Sequence, residues 1–250
     1  MPPIGLYFNW SDLLPIRMGP LMNWELPLRP AELVENRLIN AIIDGDFPIN
    51  STLPSERELA RRLGVTRPTL REALQRLARD GWIEIHHGKS TRVRDYWHEG
   101  NLAVLGSIAR YQDHVPPDFV PNLLHVRELL APAYARLAVK RAARNLARFL
   151  EDYQNLIDTP DVFARADWEL HRYLTIESGN PIFTLILNGF KELYPPMGRA
   201  YFTPPKALAR SRNFYADLRE AAQARDPERA EAVTRKVMRD SIELWKSIKR

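Results

Sequence analysis

The chain has 250 residues, 45% hydrophobic and 27% charged, with 36 Lys and Arg against 31 Asp and Glu for a formal net charge of +5. That length suits one large domain or two small ones with real cores, and the composition is globular, not disordered. Cysteine is absent, which excludes disulfide scaffolds, thiolate metal sites and cysteine nucleophiles, and makes the cytoplasm the expected compartment.

The opening stretch MPPIGLYFNWSDLLPI has no Lys or Arg before its apolar part, and Asp12 interrupts it. It reads as neither an export signal nor a spanning segment, and no later run reaches the roughly 20 apolar residues a bilayer requires. Met18 and Met22 are alternative starts, so residues 1–27 are taken as an N-terminal tail.

From Pro30, residues Leu33, Val34, Leu38, Ala41 and Ile42 recur at helical spacing until Gly45. Ser55 and Glu58 then spell an S-x-x-E capping box for a second helix, with Leu59 and Leu63 inward and Gly64 as terminator. After a short turn, Thr66 can cap a third helix from Arg67 to about Arg79. Pro68 sits in its first turn, Leu70, Leu74 and Leu77 form a buried stripe, and Gly81 stops it. Trp82, Ile83 and Ile85 form a strand, His86-His87-Gly88-Lys89 a turn, and Thr91 to Val93 a return strand.

Two short helices joined by a tight turn, followed by a two-stranded wing, make a winged helix-turn-helix, assigned to residues 28–95. The second helix of such a motif enters the major groove with its N-terminal residues on base edges. Those residues are Thr66, Arg67, Thr69 and Arg71; arginine grips guanine bidentately, and threonine meets a phosphate or a thymine methyl. His87 and Lys89 at the wing tip reach phosphates or the minor groove. The charge falls in the same place. Residues 57–94 hold ten basic and four acidic side chains, a net of +6, which leaves the remainder at −1. His86 and His87 lack a spaced third ligand and do not make a metal site.

After Tyr96 strand-like alternation disappears. Residues 96–101 read as a linker and 102–250 as an all-helical effector and dimerisation domain of about seven helices. The helical stretches run over 97–112, 118–145, 146–157, 161–178, 181–202, 206–225 and 227–248, with breaks at Pro116-Pro117, Thr159-Pro160, Gly179-Asn180-Pro181 and Pro204-Pro205. The fold class is therefore mainly α with a small β-wing. No Gly-rich phosphate loop, G-x-S-x-G or H-E-x-x-H occurs, so the chain does not read as an enzyme; helical bundles bind ligands between their helices. Trp245, with Leu244 and Ile248, is either core or ligand contact. Tyr194, Tyr201 and Tyr215 are pocket candidates.

The stretch LPSERELARRLGVTRPTLREALQRLARDGWIEIHHGKSTRV resembles the DNA-binding domain of the GntR family of bacterial regulators. ESGNPIFTLILNGFKELYPPMGRAYF and the final SIELW resemble the effector domain of its FadR subfamily, so the likeness covers about 28–250. It implies DNA contacts at Arg57, Thr66, Arg67, Thr69, Arg71, His87, Gly88 and Lys89, with Gly88 deep in the groove and Pro68 standing where relatives carry threonine. It implies a homodimer on a pseudo-palindromic duplex operator, and repression of fatty-acid degradation genes with activation of unsaturated fatty-acid synthesis. Long-chain acyl-CoA is the implied effector, which releases DNA, with no other cofactor.

Effector contacts carry over to Ser241 and Trp245, and to Arg250 at the nucleotide end of CoA; Tyr215, from the aromatic pocket candidates, is expected to join them. Met238 stands where relatives carry glycine, and its larger side chain shortens or reroutes the acyl channel. Other members hold a metal through one aspartate and three histidines. Those positions fall on Asn122, His171, Tyr215 and Val237, which do not make that set, and His171 reads as a satisfied buried histidine. A regulator of the same family sensing a carboxylate or a metal-bound effector is the alternative, and an acyl-CoA-using enzyme a more distant one.

Overall fold

Proline and glycine set the ends of most helices in the structure, a computed structural model that describes residues 29–86, 88–109 and 118–248. The expected tail 1–27, His87 and Arg250 lie outside the described residues. Helix α1 (Pro30–Ile43) buries Val34, Leu38, Ile39 and Ile42 and packs on α3. In α2 (Glu56–Leu63) the Ser55 side chain accepts the Glu58 N–H at 3.3 Å. The Glu58 carboxylate turns to Arg61 and Arg62 at 3.0 and 2.8 Å, so only the N-cap half of the expected capping box forms. Helix α3 (Arg67–Asp80) is capped by Thr66, buries Leu70, Leu74 and Leu77, and stops at Gly81 with φ +97°, a left-handed value that glycine adopts without strain.

The wing is smaller than expected. Strands β1 (Ile83–Glu84) and β2 (Arg92–Val93) pair antiparallel, with Ile83 opposite Val93 and Glu84 opposite Arg92. Residues 50–53 add a third rung that the apolar pattern does not announce. The Asn50 N–H donates to the Val93 carbonyl, the Val93 N–H to Ser51, and the Leu53 N–H to Thr91, at 2.8–2.9 Å.

The linker region is an ordered turn in which the His98 and Glu99 N–H groups donate to the Asp95 carbonyl. Helix α4 (Ala103–Ala109) follows, shorter than the expected 97–112 at its start. Helix α5 (Phe119–Phe149) runs 31 residues through Pro132 and a kink at Ala142 (φ −135°, ψ 32°). The sequence predicted a break near 145, but the kink bends the helix without ending it. A 3₁₀ turn at Asp152–Asn155 leads to α6 (Pro160–Glu177) and α7 (Pro181–Asn188). Helix α8 (Tyr194–Phe202), α9 (Pro205–Gln223) and α10 (Pro227–Ile248) complete the described residues.

The expected helix 181–202 is thus two, divided beyond Gly189, where the backbone leaves no room for a side chain against Leu102. Thr159 and Asn180 cap the two helices that begin with Pro160 and Pro181, the arrangement in which the missing proline N–H costs nothing. Helix α5 lies along α10, α6 against α8, and α9 against α10.

Two apolar clusters hold the chain together. One fills the bundle around Leu146, Phe163, Leu170, Leu174 and Leu218. The other starts in the winged domain with Leu38, Ile39, Leu70, Leu77, Trp82 and Ile83. It continues without interruption through Val104 and Ile108 of α4 to Phe119, Val120, Leu124, Leu193 and Trp245. Burial at about 25 cal/mol per Å² of apolar surface therefore ties the reader domain to the bundle.

Candidate DNA interface and effector crevice

The N-terminal end of α3 presents its polar residues outward. Thr66, Arg67 and Arg71 are exposed and Thr69 half-buried, and Arg57 lies exposed on α2. The two threonine hydroxyls touch at 2.8 Å, and the Thr66 hydroxyl accepts the Thr69 N–H at 3.4 Å. The guanidiniums are not free: Glu56 holds Arg71 at 2.8 Å and approaches Arg67 to 3.8 Å. Sequence reasoning missed Glu56 because it looks like a first-turn helix acid. Across the inter-helix turn it pre-orients two arginines, which a nucleic acid would have to take over from it.

On the wing, Gly88 adopts φ +72° with no described residue other than its chain neighbours within 4 Å of a would-be Cβ, and Lys89 is exposed beside it. Arg92 braces the wing base, donating to Glu84 and Glu99 at 3.0 and 2.9 Å and to the Asn50 side chain at 2.6 Å.

The bundle contains a crevice of about 90 Å³ lined mainly by α5, α7, α8 and α10, with Asp167 of α6 and Ser211 of α9. Most of the wall is apolar, among it Val120, Leu124, Phe183, Phe190, Leu193 and Met197, but Arg127 and Asp167 also line it, as do the pocket candidates Tyr194 and Tyr201. Three sequence-predicted effector residues come together here: Met238, Ser241 and Trp245 all line it. The Ser241 hydroxyl donates to the Val237 carbonyl at 2.7 Å and accepts from the Tyr201 hydroxyl at 3.1 Å. Trp245 is 5% exposed, and its indole N–H has no partner among the described residues. Tyr215 does not line the crevice; it stands behind it, donating to Asp167 at 3.2 Å.

Asp167 centres a polar cluster that sequence reasoning did not assemble. Arg127 donates to it at 3.0 Å, and the hydroxyls of Tyr194 and Tyr215 also donate to it. One turn further along α6, the His171 Nδ1 is 2.6 Å from the Tyr134 hydroxyl, while its Nε2, 3.8 Å from Asp167, has no hydrogen-bond partner among the described residues. The expected satisfied histidine is therefore satisfied on one side. Burial pushes His171 down to about 4, helped by the Arg127 charge and opposed by Asp167.

Burial alone would raise the Asp167 carboxyl. The pull of His171 and Arg127 and the hydrogen bonds from Tyr194 and Arg127 outweigh it and hold Asp167 below its ordinary value. Because His171 is neutral above about pH 4, Arg127 and the hydroxyl donors carry that pull near neutrality. Burial, first of all, raises the Tyr194 and Tyr215 phenols well above their ordinary value, so they remain donors. Among the described residues, no three His, Cys, Asp or Glu side chains gather as a metal site.

The signal for this cluster was present but faint. Arg127 falls on the stripe shared by Val120, Leu124, Ala131 and Tyr134, and Asp167 and His171 fall on that of Phe163, Leu170 and Leu174. Charges on apolar stripes mark buried pairs.

Comparison with known proteins places two matches end to end. Residues 30–93 match the model of the gntR family of bacterial regulatory proteins, and residues 94–250 match the FadR C-terminal domain. The chain is similar to the fatty acid metabolism regulator protein of Shewanella sp. (strain MR-4), 41% identical over 216 residues that cover 86% of this chain and 90% of that one. The protein of the same name from Shewanella baltica (strain OS155) is 42% identical, covering 86% and 91%, and that from Klebsiella pneumoniae is 40% identical, covering 86% and 90%. These relatives are regulators, not enzymes. Among solved structures, Lar, which controls expression of the Listeria monocytogenes agr system, shares the fold with TM-score 0.56 at 18% identity, covering 87% of this chain and 96% of that one.

Proposed function

Since this chain belongs to the gntR family of bacterial regulatory proteins and carries the FadR C-terminal domain, we propose that it is a homodimeric DNA-binding regulator of fatty-acid metabolism. Two α3 helices on a symmetric dimer read two half-sites of a pseudo-palindromic duplex. Arg57, Thr66, Arg67, Thr69, Arg71, His87, Gly88 and Lys89 make the contacts. Long-chain acyl-CoA is the effector, held at Met238, Ser241 and Trp245 with Arg250 toward the nucleotide end, and its binding releases DNA. The regulator represses degradation genes and activates unsaturated fatty-acid synthesis. No described helix is long and apolar enough to cross a membrane.

The observation that carries this reading is a shared apolar cluster. The same cluster contains the crevice walls Val120, Leu124, Leu193 and Trp245 and the core beneath the recognition helix. An occupant of the crevice cannot displace the first without stressing the second. The crevice has room for about six to nine waters at ~10–15 Å³ each, or a few hundred Å³ of displaced liquid at most. That is the floor of the ~300–1,000 Å³ usual for ligand sites, so a long acyl chain enters only by moving helices apart.

The unpaired Trp245 indole N–H suits a carbonyl acceptor on the ligand. The carboxylate-sensing alternative has less support, because Arg127 is already matched by Asp167 at 3.0 Å. A ligand that prefers the DNA-incompetent state a hundredfold supplies about 2.7 kcal/mol of coupling. An electrophoretic mobility shift on a fatty-acid gene operator, with and without oleoyl-CoA, tests the proposal. Unchanged DNA affinity at saturating ligand refutes the acyl-CoA reading.

A further inference from the structure

We propose that Asn101 is the positioning residue that joins the recognition helix to the effector domain, its one side chain gripping both. The amide Nδ2 donates to the Arg79 carbonyl at 3.2 Å, in the last turn of α3. The same amide's Oδ1 accepts the N–H of Ala103 at 2.8 Å, the first residue of α4. A carbonyl left over at the C-terminus of one helix and an N–H left over at the N-terminus of the next are the groups that helix ends leave unpaired. A primary amide has the donor and the acceptor to satisfy one of each.

The surroundings make this a joint rather than a tether. A Cβ added at Gly81, the stop of α3, would lie 2.9 Å from the Gly100 Cα, and one added at Gly100 would lie 2.3 Å from the Tyr96 carbonyl oxygen. The backbones are therefore in contact, with no side chain between them to absorb a shift. Trp82 and Tyr96 pack with ring centroids 4.6 Å apart and planes tilted by 38°, and Arg92 and Arg94 both hold Glu99. On the far side, Val104 and Ile108 of α4 lie in one cluster with Val120, Leu124, Leu193 and Trp245, which line the effector crevice. Leu102, next to Asn101, presses on Gly189 at the end of α7, where an added Cβ would come within 2.7 Å of it. A displacement of α7 or of the crevice wall thus reaches α4. Asn101 is the exposed polar side chain that passes it to α3.

The functional consequence rests on the effector reading above, so the test separates the two. Asn101→Asp keeps the acceptor for Ala103, removes the donor to Arg79 and places a negative charge at the carbonyl end of α3, where the helix dipole opposes it. Asn101→Ser removes the same donor without adding charge. Operator affinity is measured with and without oleoyl-CoA, oleoyl-CoA binding by calorimetry, and amide hydrogen exchange on the free full-length protein.

Both variants should bind oleoyl-CoA as the wild type does, while the ligand-induced loss of operator affinity shrinks about fivefold, the size of one net hydrogen bond. The amides of Gly81 and Trp82 should exchange faster, and Ala103 should keep its protection in Asn101→Asp. If both variants retain the full ligand effect, the joint is refuted. If the wild type itself ignores oleoyl-CoA, the acyl-CoA reading fails alone and exchange decides: faster Gly81 and Trp82 amides support the joint, and unchanged ones overturn it.

Discussion

Replacing Arg127 by Met tests whether Arg127 and Asp167, which both line the crevice, are a matched buried pair. The Arg127 Nη2 lies 3.0 Å from Asp167 Oδ2, and the side chains are 23% and 8% exposed. At an effective dielectric of about 20, opposite charges at that separation attract by roughly 5–6 kcal/mol. Removing one partner of a buried pair typically costs about 3–5 kcal/mol, because the remaining charge stays desolvated. The partial exposure of Arg127 puts the expectation at the lower end, about 3 kcal/mol, or roughly 6–12 °C in melting temperature for a chain of this size. Asp167→Asn should cost somewhat less, about 2 kcal/mol, because Arg127 can turn toward the crevice mouth.

The double variant Arg127→Met/Asp167→Asn should lose well under the sum of the two, since neither charge is then left alone. Urea unfolding of all four proteins gives the cycle. A coupling energy near zero, or an Arg127→Met loss below about 1 kcal/mol, refutes the idea that these charges depend on each other.

Arg67→Ala should cost about 1–3 kcal/mol of operator affinity and relax the preference for one base pair, read by fluorescence anisotropy on operator variants. Lys89→Ala should weaken all duplexes alike and flatten the slope of log K against log salt by about one ion. Met238→Ala should open the crevice and improve binding of longer acyl-CoA thioesters relative to shorter ones, read by calorimetry over a chain-length series, at a stability cost of about 2–5 kcal/mol.

Folded His171 takes a proton only near pH 4, against an ordinary 6.5. The unfolded chain therefore binds the extra proton between those values, and stability should fall with decreasing pH across that window, by about 3 kcal/mol in all. His171→Gln should remove that part of the slope in urea titrations from pH 7 to pH 4. Asp167, whose folded value is depressed, contributes stability that is present above its unfolded value and lost only as pH falls through the folded one. It acts at the acid end of the same curve.

The winged domain was legible because its information is local. Thr66 caps α3 three residues from its partner N–H, and Gly64 and Gly81 sit at the φ values their terminator roles require. The errors lie where a distant residue decides the outcome. The split of 181–202 falls next to Gly189, on which Leu102 packs, a contact 87 residues apart that no periodicity in the segment records. The rung at residues 50–53 owes its existence to β2, about forty residues downstream. The half-formed capping box follows from two arginines on α2 that outcompete the backbone for Glu58.

The same distinction explains what could be read of the site. Met238, Ser241 and Trp245 lie on one helix at spacings of three and four, so a single stripe brings them to one wall, and they share the crevice. The Arg127, Asp167, Tyr194 and Tyr215 cluster draws on α5, α6, α8 and α9, and its hydrogen bonds span 27 to 48 residues. Each member alone looks like an ordinary helix residue. Only the requirement that a buried charge find a partner links Arg127 to Asp167, and that requirement names no partner until the helices are packed. Function divides along the same line. The DNA-reading end of α3 is written into contiguous sequence, whereas the coupling between crevice and reader depends on contacts such as Asn101 to Arg79, 22 residues apart, which exist only once both domains have docked on α4.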